Sequence, residues 1–377
     1  MTVFEMAMWL GGVLLVGVAV GRLRQVVPHF GSLTMYRRDG GSIVMPHPGT
    51  YRTTTHSAAF PLFDGVIVPS ARGAEALLRA ARTAKNADAT LVVLASGRTS
   101  AKEAELLLGK DRCIVLGTPP DAGGPLLRTF HHPCATTTTD ISRKRNDALA
   151  LAHLRGWRTV LFVDDDVQAI EQRDLRHAAE LLAGADRHWV PRRMVGWAFD
   201  EFGDFSVVGH ACRPKTNGKV SYVGGGAMAI TCDSQAPLFP PVYNEDLLVG
   251  LTLLAEDPTS VCVAGTLEQD AYAPFADPAR ASGQEFGEVL TEGYARQPAP
   301  AELHTPRYWR SVLLDRRRLV REAAADLQQR GVTEGVLAMR AVLATHGPDW
   351  PELLASFVDD WAHDRSAWQK HLSSLHA

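Results

Sequence analysis

The sequence predicts an α/β fold: a mostly parallel sheet flanked by helices on both faces, with a C-terminal helical extension. Three observations point there. Short apolar runs rich in Val, Ile and Leu alternate with stretches of helical period between Phe63 and Val163. Those runs are continuous, as in strands covered on both faces of a parallel sheet. From about Pro306 the chain turns helical, with Leu313, Leu319, Val320, Ala323, Ala324 and Leu327 on one face and Arg316 to Arg318 beside it.

The elements follow in order. "DGVIVPSARG" reads as a first strand closing near Pro69, and "AEALLRAARTAK" has helical spacing through Leu77, Leu78 and Ala81. "ATLVVLASG" is a second strand, "AKEAELLLG" a second helix stopped by Gly109, and "CIVLGTPP" a third strand. A Pro/Gly loop and the run Thr136 to Thr139 lead into "SRKRNDALALAHLRGW", a helix that Gly156 can cap. "TVLFVDDDVQAI" is the fourth strand and ends in Asp164, Asp165 and Asp166. "DFSVVGHACR" and "KVSYVGGGAMAI" read as further strands, with an antiparallel arrangement open, and "PPVYNEDLLVGLTLLA" as a loop leading into a helix. The expected organisation is an apolar segment (1–25), a linker or irregular stretch (26–60), a catalytic domain (61–275) and a C-terminal helical region (276–377).

Composition narrows the function classes. The 377 residues are 46% hydrophobic and 21% charged, a globular balance and not a disordered one. A net charge of -3 offers no global basic field for nucleic acid, so any anion must meet a local cluster. Five cysteines without a C-x-x-C pair fit reduced thiols in a cytoplasm better than a disulfide framework. Met6 to Val20 is an uncharged run of 15 residues followed by Arg22 and Arg24. A full span needs about 20, so two readings stay open. One is a membrane anchor that leaves the remaining chain at the inner, cytoplasmic face; the other is a buried helix of the fold. No basic stretch precedes the run, which argues against a cleaved signal peptide.

Parallel sheets bind ligands beyond the carboxyl ends of their strands. Ser70 to Gly73, Ser96 to Arg98 and Asp164 to Asp166 all lie at such ends. Adjacent carboxylates there can share Mn²⁺ or Mg²⁺ with the diphosphate of a nucleotide; basic side chains, or water at a strand end, are the alternatives. Upstream, Arg143, Lys144, Arg145 and Asn146 open a helix, a place suited to phosphates. Arg145 and Asn146 are the expected donor contacts, while Arg143 and Lys144 read as a solvated face. In "YNEDLLVG", Glu245 and Asp246 are either general-base carboxylates or the acidic first turn of a capped helix.

With "VIVPSAR", "RKRNDALALA", "FVDDDV", "VGGGAMAI" and "YNEDLLVG" in this order, residues 60–275 resemble a GT-A fold (Rossmann-like) glycosyltransferase. The order is similar to that of the inverting glycosyltransferase family 2, which includes chitin and cellulose synthases. The resemblance implies a nucleotide-diphosphate-sugar donor, a glycosyl acceptor and a divalent cation. It implies Asp164 at the donor ribose or metal and Asp166 on the metal, with Asp165 counted among the donor contacts although strand alternation turns it toward solvent. It further implies that Pro69, Ser70, Arg72, Ser96 and Arg98 hold the nucleotide. Gly224, Gly225 and Gly226 would let backbone approach the donor, Asp246 would be the base, and Glu245 an acceptor contact or alternate base. The Q-x-x-R-W motif of processive synthases is absent, "RYWRS" being a different pattern, so a single, non-processive transfer is expected.

Other readings remain. A haloacid-dehalogenase-like phosphatase would use Asp164 as nucleophile but needs a later lysine and a second acidic motif. A sugar cytidylyltransferase needs a Gly- and Lys-rich loop that is missing. A non-catalytic nucleotide-sugar-binding protein is the third. His210 reads as a core histidine, with a site contact as its alternative, and nothing distinguishes His131 and His132.

Overall fold

A computed structural model describes residues 62–99, 101–108, 113–117, 125–135, 139–185, 190–199, 206–212, 223–270 and 273–375. The apolar run at 6–20 and the linker at 26–60 lie outside the described residues. Among the described residues no helix is long and apolar enough to cross a membrane.

The sheet has seven strands: β1 (Gly65–Ser70), β2 (Thr90–Ala95), β3 (Cys113–Gly117), β4 (Thr159–Val163), β5 (Met194–Phe199), β6 (Ala227–Thr231) and β7 (Val261–Leu267). Their order is β3-β2-β1-β4-β6-β5-β7. β1 pairs in parallel with β2 and β4, β2 with β3, and β5 with β7. β6 alone runs against its neighbours β4 and β5. The chain builds outward from β1 through β2 to β3, then returns to place β4 on the other side of β1. That reversal opens a switch point at the carboxyl ends of β1 and β4, where open α/β sheets bind their ligands.

Every residue of β1 is buried, as a strand covered on both faces requires. Its side chains divide between two cores. Ile67 joins Val92, Phe162, Met228 and Ile230 on one face, whereas Val66 and Val68 join Leu91, Val93, Leu161 and Val163 on the other. β1 pairs with β4 only through Ile67, so Pro69, which has no N–H to give, sits where that ladder has ended.

The flanking helices are α1 (Leu77–Ala87), α2 (Ala101–Leu108), α3 (Thr139–Leu154) and α4 (Gln172–Leu182). α1 and α4 bury Leu77, Ala80, Leu175 and Ala178 in the second core, and α3 buries Ala148, Leu149 and Ala152 in the first. Gly156, at φ +65, turns the chain out of α3 as its position suggests. α5 (Val207–Cys212) is a helix where the sequence suggested a strand. α6 (Glu245–Glu256) then leads to β7.

Helices α7 (Pro278–Ala295), α8 (Pro300–Leu303), α9 (Pro306–Gln329), α10 (Thr333–Thr345) and α11 (Trp350–Ser374) complete the described chain. They carry Trp309, Val312, Phe357, Trp361 and Trp368 into the first core, so they extend the sheet's own packing. α11 also reaches back to a turn just before α3. The fully buried Asp364 accepts the backbone N–H groups of Arg128 and Thr129 at 2.9 and 2.8 Å and the Thr129 hydroxyl at 2.8 Å.

Candidate functional site

The carboxyl ends of β1, β2 and β4, the turn before β6 and the first turn of α6 meet at one edge of the sheet. The aspartate triplet begins where β4 stops. Asp164 N–H donates to the carbonyl of Gly226 at 2.8 Å, so the triplet and the glycine turn are laced together by backbone. Antiparallel pairing sets Val163 opposite Ala227, which brings the start of β6 to the end of β4.

The three glycines make close approaches that a side chain would block. A Cβ on Gly224 would lie 2.5 Å from the Phe199 ring, and one on Gly226 2.8 Å from the same ring. On Gly225 it would lie 2.5 Å from Asp246 Oδ2. The bare backbone of Gly225 therefore lies directly against the carboxylate of Asp246.

Each aspartate has its own partners. Asp164, with 22% of its side chain exposed, faces Arg145 Nη2 at 3.4 Å. Asp165 is buried, not turned to solvent as strand alternation suggested. Strand geometry has ended at Val163, so alternation no longer governs the direction of the side chain. Its Oδ2 accepts the Ser70 hydroxyl at 2.6 Å and its Oδ1 lies 3.3 Å from Arg72 Nε. Burial raises its pKa, opposed by the Ser70 hydrogen bond and the Arg72 charge. Asp166 meets Arg72 Nη2 at 2.8 Å and Gln269 Nε2 at 3.0 Å.

The basic residues of α3 depart from expectation. The helix begins at Thr139, a turn earlier than the sequence suggested, so Arg143 to Asn146 lie inside it and are not at its N-terminus. Lys144 is buried and not solvated. Its ammonium donates to the Ser70 carbonyl at 3.0 Å and the Ser96 hydroxyl at 2.7 Å, and pairs with Asp140 at 2.8 Å, tying β1 to β2. Ser96 also donates to Asp140 at 2.9 Å. Asn146 was expected to reach the donor. Its amide instead donates to and accepts from the Phe239 backbone, at 2.9 and 2.8 Å, beneath the site. Arg98 has an exposed side chain and is held through its backbone, which donates to the Ala71 carbonyl at 3.0 Å.

Arg145 is the hub. It is buried, donates through Nη1 to Glu245 and through Nη2 to the Gly225 carbonyl at 2.9 Å, and lies over the Phe239 ring. Glu245 and Asp246 occupy the first turn of α6, where the helix dipole favours negative charge. Burial pushes Glu245 up to about 8, with Arg145 pulling against it. Burial raises Asp246 as well, against Arg145 and the backbone N–H groups of Leu247, Asp246 and Gly225. Asp246 is the more exposed of the two, Glu245 being 5% exposed.

Among the described residues no group of three or more His, Cys, Asp or Glu is arranged to cage a metal ion. A cation shared with a diphosphate needs only one or two carboxylates. Asp164 and Asp166, both partly exposed hard-oxygen donors, fit that role, although Asp166 must yield Arg72 to take it. His210 belongs to the short helix α5, whose Val207, Val208 and Ala211 share a core with α9 and α10. His132 Nε2 pairs with Ser356 Oγ at 3.1 Å, under α11, and burial lowers its pKa. Sequence reading missed Gln269, which no motif marks, and the buried role of Lys144.

No family model and no curated protein matches the sequence. Among solved structures the chain is similar to glucosyl-3-phosphoglycerate synthase from Mycobacterium tuberculosis. In its complex with phosphoglyceric acid the TM-score is 0.42 at 13% identity, over 66% of this chain and 88% of that one. In its complex with Mn²⁺, UDP and phosphoglyceric acid the values are 0.40 and 14%, over 63% and 79%. With Mg²⁺ and UDP they are 0.40 and 13%, over 63% and 80%. Those ligands belong to those proteins; at this identity and score the likeness says nothing of what this chain binds.

Proposed function

We propose that the chain is a metal-dependent, inverting, non-processive glycosyltransferase of GT-A type that takes its sugar from a nucleotide-diphosphate sugar. One observation carries the reading. The aspartate run starts at Asp164, bound through its backbone to Gly226, and the carboxylate of Asp246 lies against Gly225 of the same bare glycine turn, at the switch point of the sheet. A single displacement needs that division, with charge handling at the leaving group and a base at the acceptor.

Asp246 is the base in this reading. Its raised pKa makes it a better proton acceptor than an ordinary carboxylate. It takes the proton of the acceptor hydroxyl while the oxygen bonds to the anomeric carbon. The bond from that carbon to the diphosphate oxygen breaks, and the nucleoside diphosphate leaves with the electron pair, inverting the configuration. Arg145 holds Glu245 and the Gly225 carbonyl in place, and Gly225 leaves room beside the base. Asp164 and Asp166 would hold a divalent cation, whose charge stabilises the departing diphosphate when bound. Arg72, 49% exposed, is placed to turn from Asp166 to a phosphate.

The phosphatase alternative wants a lysine on Asp164. The buried Lys144 is instead committed to Ser70, Ser96 and Asp140, which favours the transferase. Calorimetric titration with UDP, GDP and CDP, each with and without Mn²⁺, tests the reading. At least one nucleotide is expected to bind more tightly with Mn²⁺, and Asp166→Ala to remove that difference. No heat from any of them in either condition would sink the proposal.

A further inference from the structure

Asn244, the residue that leads into α6, has its backbone in the left-handed region at φ 61, ψ 32. Asparagine tolerates that conformation better than most residues, yet it is still not the conformation a free chain prefers. Two contacts from α7 hold it there. Gly287 packs so closely that a Cβ on it would overlap the carbonyl oxygen of Tyr243, the residue before. Glu288 Oε1 accepts from Asn244 Nδ2 at 2.8 Å.

Behind Glu288 stands a closed ionic cluster. Arg316 of α9 meets Glu288 Oε2 at 3.1 Å and forks onto Glu285 at 2.9 and 2.7 Å. Glu285 Oε1 in turn meets His346 Nε2 at 2.8 Å. Arg316, Glu285 and Glu288 are each at most 1% exposed. On the other side, the Asn244 carbonyl accepts from Leu248 N–H at 2.9 Å, a hydrogen bond that closes the first turn of α6 and with it the setting of Glu245 and Asp246.

We infer that Glu288, backed by Arg316 and by the close approach of Gly287, is a positioning residue for Glu245 and Asp246. It fixes the left-handed turn at Asn244 and so directs both carboxylates toward Arg145 and Gly225. A buried ion cluster is no more stabilising than well-packed apolar side chains of similar volume. What it supplies here is an acceptor at one defined point against one backbone turn. The C-terminal helices thereby act on the site through the turn at Asn244. The catalytic consequence rests on the transferase reading, whereas the positioning is a property of the fold.

The test uses the full chain with Asn244→Gly, Glu288→Leu and Glu288→Gln. It reads amide hydrogen exchange at Leu247 to Val249 and release of nucleoside diphosphate from UDP-glucose and GDP-mannose. Asn244→Gly keeps the left-handed turn accessible but loses the bond to Glu288. It is expected to speed exchange in that turn about tenfold, with β1 and β2 amides unchanged. It should also lower kcat about a hundredfold with unaltered UDP affinity. Glu288→Leu should match it. Glu288→Gln, which still accepts from Asn244, should recover most of the loss. Exchange and rate unchanged in Asn244→Gly would overturn the inference, as would faster exchange spread across the whole sheet. If Glu288→Leu does not fold, Asn244→Gly still decides the matter, because it leaves no buried charge unpaired. If the unsubstituted protein releases no nucleotide from either donor and binds none of UDP, GDP and CDP, the transferase reading fails, and exchange at α6 still tests the positioning.

Discussion

Replacing Glu245 by glutamine should change how stability depends on pH. Glu245 is 5% exposed and its carboxyl rises from 4.5 to about 8, chiefly through burial. A folded-state pKa above the unfolded one means that the folded chain holds a proton the unfolded chain releases. The stabilisation is complete below about pH 4.5 and is lost as pH climbs toward 8. At about 1.4 kcal/mol per pH unit, the full window is worth roughly 5 kcal/mol, and the interval from pH 5 to 7 roughly half of that. Glutamine keeps an oxygen for Arg145 Nη1 but binds no proton. The unsubstituted protein should therefore lose roughly 3–4 °C of Tm between pH 5 and 7 relative to Glu245→Gln. Circular dichroism melts of both proteins at half-unit pH steps measure the difference. Parallel curves from pH 5 to 7.5 would show that Arg145 keeps Glu245 ionised throughout, refuting the dominance of burial.

Other substitutions probe other parts of the molecule. Asp246→Asn should leave UDP binding unchanged and lower transfer at least a thousandfold; retained turnover in a donor-hydrolysis assay would exclude Asp246 as base. Gly225→Ala puts a methyl 2.5 Å from Asp246 Oδ2. It should cost about 1–3 kcal/mol in urea unfolding and displace the carboxylate, with turnover falling while Mn²⁺ binding persists. Arg316→Met leaves Glu285 and Glu288 buried without their shared cation. A loss of about 3–5 kcal/mol is expected at pH 7, and urea titration checks this.

The first four strands and three helices were legible because their apolar runs are long and bounded by Gly, Pro or Asp. β5 escaped notice because "MVGWAF" breaks its short run with a glycine, and β7 because "VCVAGTL" does the same. α5 read as a strand since Val207 and Val208 favour β structure and six residues are too few to display a helical period. Tertiary packing decides it: Val207, Val208 and Ala211 join a core with α9 and α10. α7 falls in the region expected to be helical, yet its own period is faint, because its buried residues mix Gln284, Glu285, Glu288 and Thr291 with Phe286, Val289 and Leu290. The same burial of polar groups obscured Lys144. A lysine in sequence reads as solvated, and only the meeting of Ser70, Ser96 and Asp140 shows that all three of its N–H groups have partners. Asp165 could not be placed from alternation because its direction is set by a turn.

The grip of Asp364 on Arg128 and Thr129 bears on how the protein comes into being. These partners are 235 and 236 positions apart in the chain. A ribosome adding 5–20 residues per second needs on the order of ten seconds or more to cover that distance. Throughout that interval the segment leading into α3 lacks its cap, and the apolar floor destined for Phe357 and Trp368 stands open to water. The nascent chain thus carries its early strands well before it can seal them.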